Sequence, residues 1–468
     1  VTATATGPAP GELSRAEPFD LVIVGTGSGN AIPAELDHWR IALVERDVFG
    51  GTCLNRGCIP SKMLVVAADA ARRVGTADRL GVHARLDHVD WPAVRDRVFG
   101  RIDPIAAGGE AFRDEGCANV TLVRGTARFV APGHLAVGER VLTAPRILLA
   151  AGSRPVVPEI PGLAGSGFRT SDDVMRLERL PPRLGILGGG FIAAELGHVF
   201  AAFGSEVTVM ARSHTMLRAE DADIRHRFTE VFRHRVDVRV GVVPDRVWRH
   251  HDAVEIHLGE QVIEVDELLV ATGRAPNSDL LDVAAAGIAV HPDGRVVTDD
   301  TMATSAEGVW AIGDLTNPYQ LKHVANAEAK VAFWNLAHPD RPRRMDYRAV
   351  PHAVFSDPQV ARVGLTEEEV RVAGVPYVVG TRDYGATAYG WALEDTESFA
   401  KVVVHAGTGA ILGAHIIGDQ AANLIQPLVQ AMALGQGAAT VARQVLYIHP
   451  ALSEVVENAL LDAVAKLG

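Results

Sequence analysis

Cysteine is almost missing from this chain, with three in 468 residues. That excludes an extracellular scaffold stapled by disulfides, and it leaves too few thiols for a four-cysteine zinc site. A basic surplus is missing too. The net charge of −12 offers no cationic face to phosphates and argues against nucleic acid as the main partner. Lysine is scarce beside arginine, which makes Lys62 and Lys322 stand out. No long uninterrupted apolar run occurs. The most apolar stretch, 187–204, opens on glycines and carries Glu195 and His198, so a buried helix is expected there and not a membrane span. Residues 1–18, rich in Thr, Ala, Pro and Gly, lack the basic start and apolar core of an export signal and are expected to be a disordered leader. A cytoplasmic location is expected on the same grounds.

The rest of the composition, 48% hydrophobic and 22% charged, describes an ordinary globular chain long enough for roughly three domains. Two of the three cysteines, Cys53 and Cys58, fall in the stretch Gly-Gly-Thr-Cys-Leu-Asn-Arg-Gly-Cys-Ile-Pro-Ser-Lys ending at Lys62. Taken alone, such a pair admits three readings: a reducible catalytic disulfide, half of a metal site, or two structural thiols. Cys117 stands apart and is expected to pack as a small hydrophobe.

Two glycine-rich turns follow buried-strand patterns. After the run from Phe19 to Val24 come Gly25, Gly27 and Gly29, with Asn30 where a third fingerprint glycine is usual. Gly25 suits a tight turn and Gly27 the approach of a pyrophosphate, which the start of a following helix would hold. A second strand ends at Glu45, at the spacing where an acid takes a ribose hydroxyl pair. The other turn, Gly188-Gly189-Gly190, leads through Ala193 to Glu195. There the next strand ends in Ala211, not an acid, and Arg212 and Arg218 follow. Two arginines at that place suit a 2′-phosphate and favour NADPH. The segments closing on Gly152 and Gly273 resemble each other and read as the exits of the two nucleotide folds. Gly313-Asp314 ends a further strand and could meet a ligand hydroxyl. Lys322 to Asn326, including Val324 and Ala325, opens a helix whose amides could face an electron-rich ring. Near the C-terminus His449 is followed by Glu454, which could fix the imidazole tautomer.

In this order the elements resemble the flavoprotein disulfide reductases, the family of glutathione reductase and dihydrolipoamide dehydrogenase, from Phe19 to about Ala465. The cysteine stretch is the most specific part. The resemblance implies an α/β chain with two Rossmann-like dinucleotide-binding domains, for FAD (19–156 and 277–346) and NADPH (157–276), and a C-terminal α+β dimerisation domain (347–468). It implies that Gly25, Gly27, Gly29, Glu45, Gly51, Thr52, Lys62, Gly152, Asp314, Val324 and Ala325 serve FAD. Gly188, Gly190, Ala193, Glu195, Arg212, Arg218 and Gly273 would serve NADPH. Cys53 and Cys58 become the redox-active disulfide, with Cys58 nearer the flavin and Cys53 facing the substrate. Lys62 and Glu195 become an ion pair beside the reactive flavin nitrogen. His449, oriented by Glu454, would complete the site of the other subunit in a homodimer.

No second cysteine pair lies near the C-terminus, which sets aside the family members that need one there. The segments GTGSGN, FGRIDPIA, QLKHVANAEA, DYGATAYGWALED and HPAL are similar to the subgroup that reduces mycothione, the disulfide of mycothiol, and that is the substrate expected. Glutathione disulfide and dihydrolipoamide are the alternatives within the family. A redox-sensing flavoprotein without turnover is a more distant one.

Overall fold

The runs Leu21–Val24 and Ile41–Glu45 are buried along their whole length, as strands covered on both faces must be. In the computed structural model, which describes residues 16–467, they lie inside a parallel five-stranded sheet. Its order is Val309–Ala311, Ile147–Leu149, Leu21–Val24, Ile41–Glu45 and Val120–Arg124. The first strand pairs Val22 with both Ala42 and Ile147, so the glycine turn leaves from the middle of the sheet. A smaller four-stranded sheet packs beside it through Phe129, Leu135 and Leu142. These elements belong to one of two compact units, formed by the chain up to Pro60, Arg97–Val156 and Arg274–Asp346.

The second unit gathers Ser61–Asp96, Val157–Gly273 and the chain from Tyr347 onward. It holds a parallel sheet ordered Asp237–Val240, Glu206–Ala211, Arg183–Leu187 and Glu267–Val270. It also holds an antiparallel five-stranded sheet running from Pro351–Val354 to Tyr377–Asp383 at its edges. The helix Ser453–Ala465 lays Val455, Ala459 and Ala463 against that sheet. Lys401, 1% exposed, ties this part to the nucleotide fold through Asp221 (2.8 Å) and Asp223 (2.6 Å), and pairs with Glu367 (2.6 Å) of its own part. A buried ammonium is tolerable only with such partners.

Three expectations change. Residues 1–15 of the expected leader lie outside the described residues, but Glu17–Pro18 form a strand paired with Leu142 and Thr143. Arg140 clamps it, donating to the Glu17 carboxylate at 2.9 and 2.7 Å. No α-helix follows the first glycine turn: Ser28–Asn30 is one 3-10 turn and Ala34–Leu36 another. Pro33 pushes Ile32 out of helical geometry, and the stretch 31–40 is too short for a helix and a return. The apolar helix expected over 423–434 is two, Ala421–Leu424 and Gln426–Ala433, with Pro427 in the first turn of the second.

Candidate active site

The cysteines occupy two successive helices, Gly51–Asn55 and Cys58–Gly75. Cys53 is half-buried and Cys58 exposed, and both are thiols. The Cys53 thiol is pushed well above its ordinary pKa, first by its hydrogen bond with the Cys58 side chain and then by burial. The positive charge of Lys322 and the Cys58 N–H act in the opposite direction.

The glycine turn abuts this stretch. A Cβ on Gly51 would stand 2.7 Å from the Cα of Gly27, so the two backbones approach this closely only because residue 51 is glycine. Gly29 takes the close packing usually given to the third fingerprint glycine, since a Cβ there would meet Ala150 and Ile23 at 2.8 and 2.9 Å. Asn30, released from that task, accepts from Arg113 Nε at 2.8 Å, while its carbonyl accepts from Arg113 Nη2 at 2.9 Å. Glu45 is buried and accepts from the N–H (3.0 Å) and hydroxyl (2.5 Å) of Thr26, so it braces the turn from the end of its strand. Asp314 accepts from Ser153 Oγ at 2.7 Å, next to the exit glycine Gly152. Buried Glu328 receives the Gly313 N–H at 2.6 Å and the Asn317 amide at 2.9 Å, fixing the Gly-Asp corner. Val324 and Ala325 are buried in the first turn of the helix Lys322–Ala337. This cradle has backbone where side chains would block an approaching pyrophosphate and a carboxylate at the strand end, and it fits FAD.

In the second unit the helix Phe191–Phe203 starts at Gly190, whose Cβ position is open space. Gly188 has φ +130°, and a Cβ on it would strike the carbonyl oxygen of Ala271, two residues before Gly273. Ala193 is fully buried under the turn. Arg212 and Arg218 are both exposed, and neither has an ion-pair partner among the described residues. Free helix amides with two unengaged guanidinium groups fit NADPH and its 2′-phosphate.

Lys62 stands in the same helix as Cys58, four residues on. Its ammonium donates to both oxygens of buried Glu195 at 2.6 Å and lies 4.7 Å from the centre of the Phe355 ring. The Phe355 N–H donates to Glu195 at 3.0 Å. Behind the pair, Arg235 donates to His198 Nδ1 at 3.1 Å, so His198 carries its proton on Nε2 and donates to Asp69 at 2.9 Å. Asp357 accepts from Arg72 (3.0 Å) and Arg235 (2.6 Å). Burial alone would raise the Asp357 pKa, but Arg235 and Arg72 hold it below the ordinary carboxylate range. His449, 72% exposed, meets Glu454 at 2.8 Å from Nδ1.

The expected site residues are found at turns, at strand ends or within the first two turns of helices. The first unit brings together the cysteines, the glycine turn, Glu45, Gly152, Asp314 and the helix from Lys322. The second brings together Lys62 with Glu195 and His449 with Glu454, and carries the second glycine turn. Sequence reasoning missed Arg113, Glu328 and the Asp69–His198 pair. Their partners lie far along the chain, and only His198, a polar residue in an apolar helix, carried a local signal.

Residues 19–329 match the model of the pyridine nucleotide-disulphide oxidoreductases, and residues 350–460 match the dimerisation domain of the same family. The chain belongs to the pyridine nucleotide-disulphide oxidoreductase family. It is 47% identical to mycothione reductase of Mycobacterium tuberculosis over 463 residues, covering 95% of this chain and 99% of that one. Dihydrolipoyl dehydrogenase of Haloferax volcanii is 34% identical, with 96% of this chain and 98% of that one covered. Among solved structures, the HOCl-induced flavoprotein disulfide reductase RclA from Escherichia coli matches with a TM-score of 0.83 and 30% identity, over 96% of this chain and all of that one. As a member of this family the protein is an NAD(P)H-dependent disulfide oxidoreductase that uses FAD and NADPH and forms a homodimer through its dimerisation domain. Among the described residues no helix is long and apolar enough to cross a membrane.

Proposed function

We propose that the enzyme reduces mycothione to two molecules of mycothiol with NADPH, in the cytoplasm. The observation that carries this reading is the near full-length 47% identity to a mycothione reductase. Ala211, Arg212 and Arg218 at the second strand end support NADPH as the donor. FAD, held by the Gly25–Gly29 turn, Glu45 and Asp314, would supply the two-electron transfer between NADPH and the Cys53–Cys58 disulfide.

The remaining steps belong to the chain's own side chains. The Cys53 thiolate attacks one sulfur of the substrate disulfide. A Cys53–substrate bond forms, the substrate S–S bond breaks, and the leaving thiolate takes a proton. Cys58 then attacks Cys53, releasing the second thiol and closing the ring again. The Cys53 thiol, pushed up by Cys58 and burial, needs a proton acceptor to become a nucleophile. We assign that role to His449 of the partner subunit, held in one tautomer by its Glu454. Beside His449, Leu446 is 98% and Ile448 75% exposed, which supports a second copy covering this end of the chain. Lys62 and Glu195 form a fixed charge pair at 2.6 Å that would tune the electrostatics of the redox chemistry.

The test is NADPH oxidation by purified enzyme with mycothione, glutathione disulfide and lipoamide in parallel. A preference for mycothione of at least about 100-fold in kcat/KM is expected, the scale of a site built around polar substrate groups. Comparable turnover of glutathione disulfide or lipoamide would overturn it. The shared site is tested by mixed dimers of Cys53→Ser and His449→Ala chains. About half of the wild-type activity per dimer is expected, because one site then has both groups; activity no higher than in either parent would place both groups in one chain.

A further inference from the structure

Two large aromatic side chains face solvent from one short turn of the dimerisation domain. Trp391 is 64% and Tyr389 38% exposed, on the helix Ala388–Ala392. The turn is built to hold them still. Trp391 Nε1 donates to the Gly385 carbonyl at 2.7 Å, and Thr387 Oγ1 donates to the Tyr384 carbonyl at 2.8 Å. Tyr384 is fully buried, and its hydroxyl donates to the Asp419 carbonyl at 3.0 Å. A Cβ on Gly390 would strike the Tyr384 carbonyl, so the turn closes only on glycine. An indole whose N–H is satisfied within its own turn offers its ring face and not its polar edge. Glu394, three residues on, keeps a left-handed backbone (φ +52°) and is exposed.

Register places this turn at the same end of the domain as His449. The helix Ser453–Ala465 runs antiparallel to the strand Tyr377–Asp383: Lys466 Nζ donates to the Val379 carbonyl at 2.8 Å, and the Thr381 N–H donates to Asp462 at 2.9 Å. From that crossing the strand continues for about 7 Å to Asp383, and the helix returns about 12 Å to Glu454. Glu454, and the His449 it holds at 2.8 Å, thus come level with residues 384–392. Tyr384, Leu393 and Leu452 share one apolar core there. A fixed ring face with a carboxylate close by suits a polyhydroxylated ring, whose C–H groups meet the π face while its hydroxyls donate to the acid. Among the disulfides considered, mycothione carries such rings, the sugar and inositol of each mycothiol. Glutathione disulfide is a peptide, and lipoamide has only the ring that holds its sulfurs. We propose that Trp391, with Tyr389, is the platform on which a ring of the substrate stacks while the disulfide meets His449 of the same subunit. The proposal rests on the reading of mycothione as substrate and gives that specificity a residue.

The experiment compares kcat/KM of the holoenzyme for mycothione with that for N-acetylcysteine disulfide, which keeps the reacting sulfurs and lacks the rings. In Trp391→Leu this ratio should fall about tenfold, through the KM for mycothione, the scale of one aromatic stacking contact. Trp391→Phe, which also loses the indole N–H but keeps a ring face, should stay within about twofold of the wild type. An unchanged ratio in Trp391→Leu, or an equal fall in Trp391→Phe, would overturn the platform while leaving mycothione as the substrate. A Trp391→Leu enzyme that elutes as a monomer in size-exclusion chromatography would overturn it too, since the ring would then belong to the subunit contact. A wild type without preference for mycothione over N-acetylcysteine disulfide would overturn the substrate reading, and the proposal with it.

Discussion

The two glycine turns follow the same plan and meet charge differently. In both, the first glycine has a positive φ, +105° at Gly25 and +130° at Gly188, and packs where a Cβ would strike a carbonyl of the exit strand, Ala150 or Ala271. Beyond that point they diverge. The second turn runs into the helix Phe191–Phe203, whose amides and dipole end suit a phosphate. The first has only the 3-10 turn Ser28–Asn30, and two side-chain cations reach it instead, Arg113 at Asn30 and Lys322 at Ser28. The strand ends differ as well, with Glu45 in one and Ala211 followed by Arg212 in the other. One plan thus yields an acid-tipped cradle braced by distant side chains and a base-tipped cradle built on a helix.

The harshest way to break this comparison is to add one methyl group to each turn. Gly25→Ala should yield protein without bound FAD and without activity. Gly188→Ala should keep its flavin and lose NADPH binding. Each forces an L-residue into a left-handed backbone as well as a clash. Flavin absorbance and NADPH titration of the two variants check this, and loss of flavin in both would erase the proposed division of labour. Next in size is charge reversal of Arg212 and Arg218. It should raise the KM for NADPH about 100-fold while changing that for NADH little, since two charge-assisted contacts to a phosphate are lost. Equal effects on both cofactors would remove the arginines from the 2′-phosphate. Smaller still is Arg113→Ala, which frees Asn30 and should speed FAD release about tenfold, the scale of one charge-assisted hydrogen bond. An unchanged release rate would show that the 3-10 turn holds its shape unaided.

These residues also show what could be read from the sequence. The strands were legible because Leu21–Val24 and Ile41–Glu45 are uninterrupted apolar runs with a turn or an acid at their ends. The missing helix was legible too, in Pro33, but the fingerprint pattern pointed the other way and the local rule won. The partners of the turn were not legible. Arg113 lies 83 residues from Asn30, and Glu328 reaches Gly313 from a helix on the far side of a loop. Such pairs are chosen by the folded backbone, and no spacing in the sequence encodes them.

The smallest effect concerns stability alone. The second nucleotide fold is fastened by buried charges, Asp221 to Lys401 and Glu220 to His352, with His415 buried nearby. His415 donates from Nε2 to the Leu365 carbonyl at 3.0 Å, and burial pushes its pKa down to about 4. The unfolded chain therefore takes up a proton near pH 6.5 that the folded chain refuses, and stability falls as pH drops from there to about 4. The loss amounts to on the order of 3 kcal/mol for this group. Asp221 and Glu220, whose pKa values are held down by their cationic neighbours against burial, add to it below pH 4.5. Thermal unfolding from pH 7 to 5 should show a shallower decline in His415→Leu than in the wild type. Parallel declines would place the acid sensitivity elsewhere.

The central claim is that one nucleotide fold delivers electrons and the other spends them at Cys53. It is tested most directly by mixing Cys53→Ser holoenzyme with NADPH under anaerobic conditions, then adding mycothione. Flavin reduction at the wild-type rate with no mycothiol formed is the result predicted. Loss of flavin reduction together with turnover, or continued production of mycothiol, would contradict it.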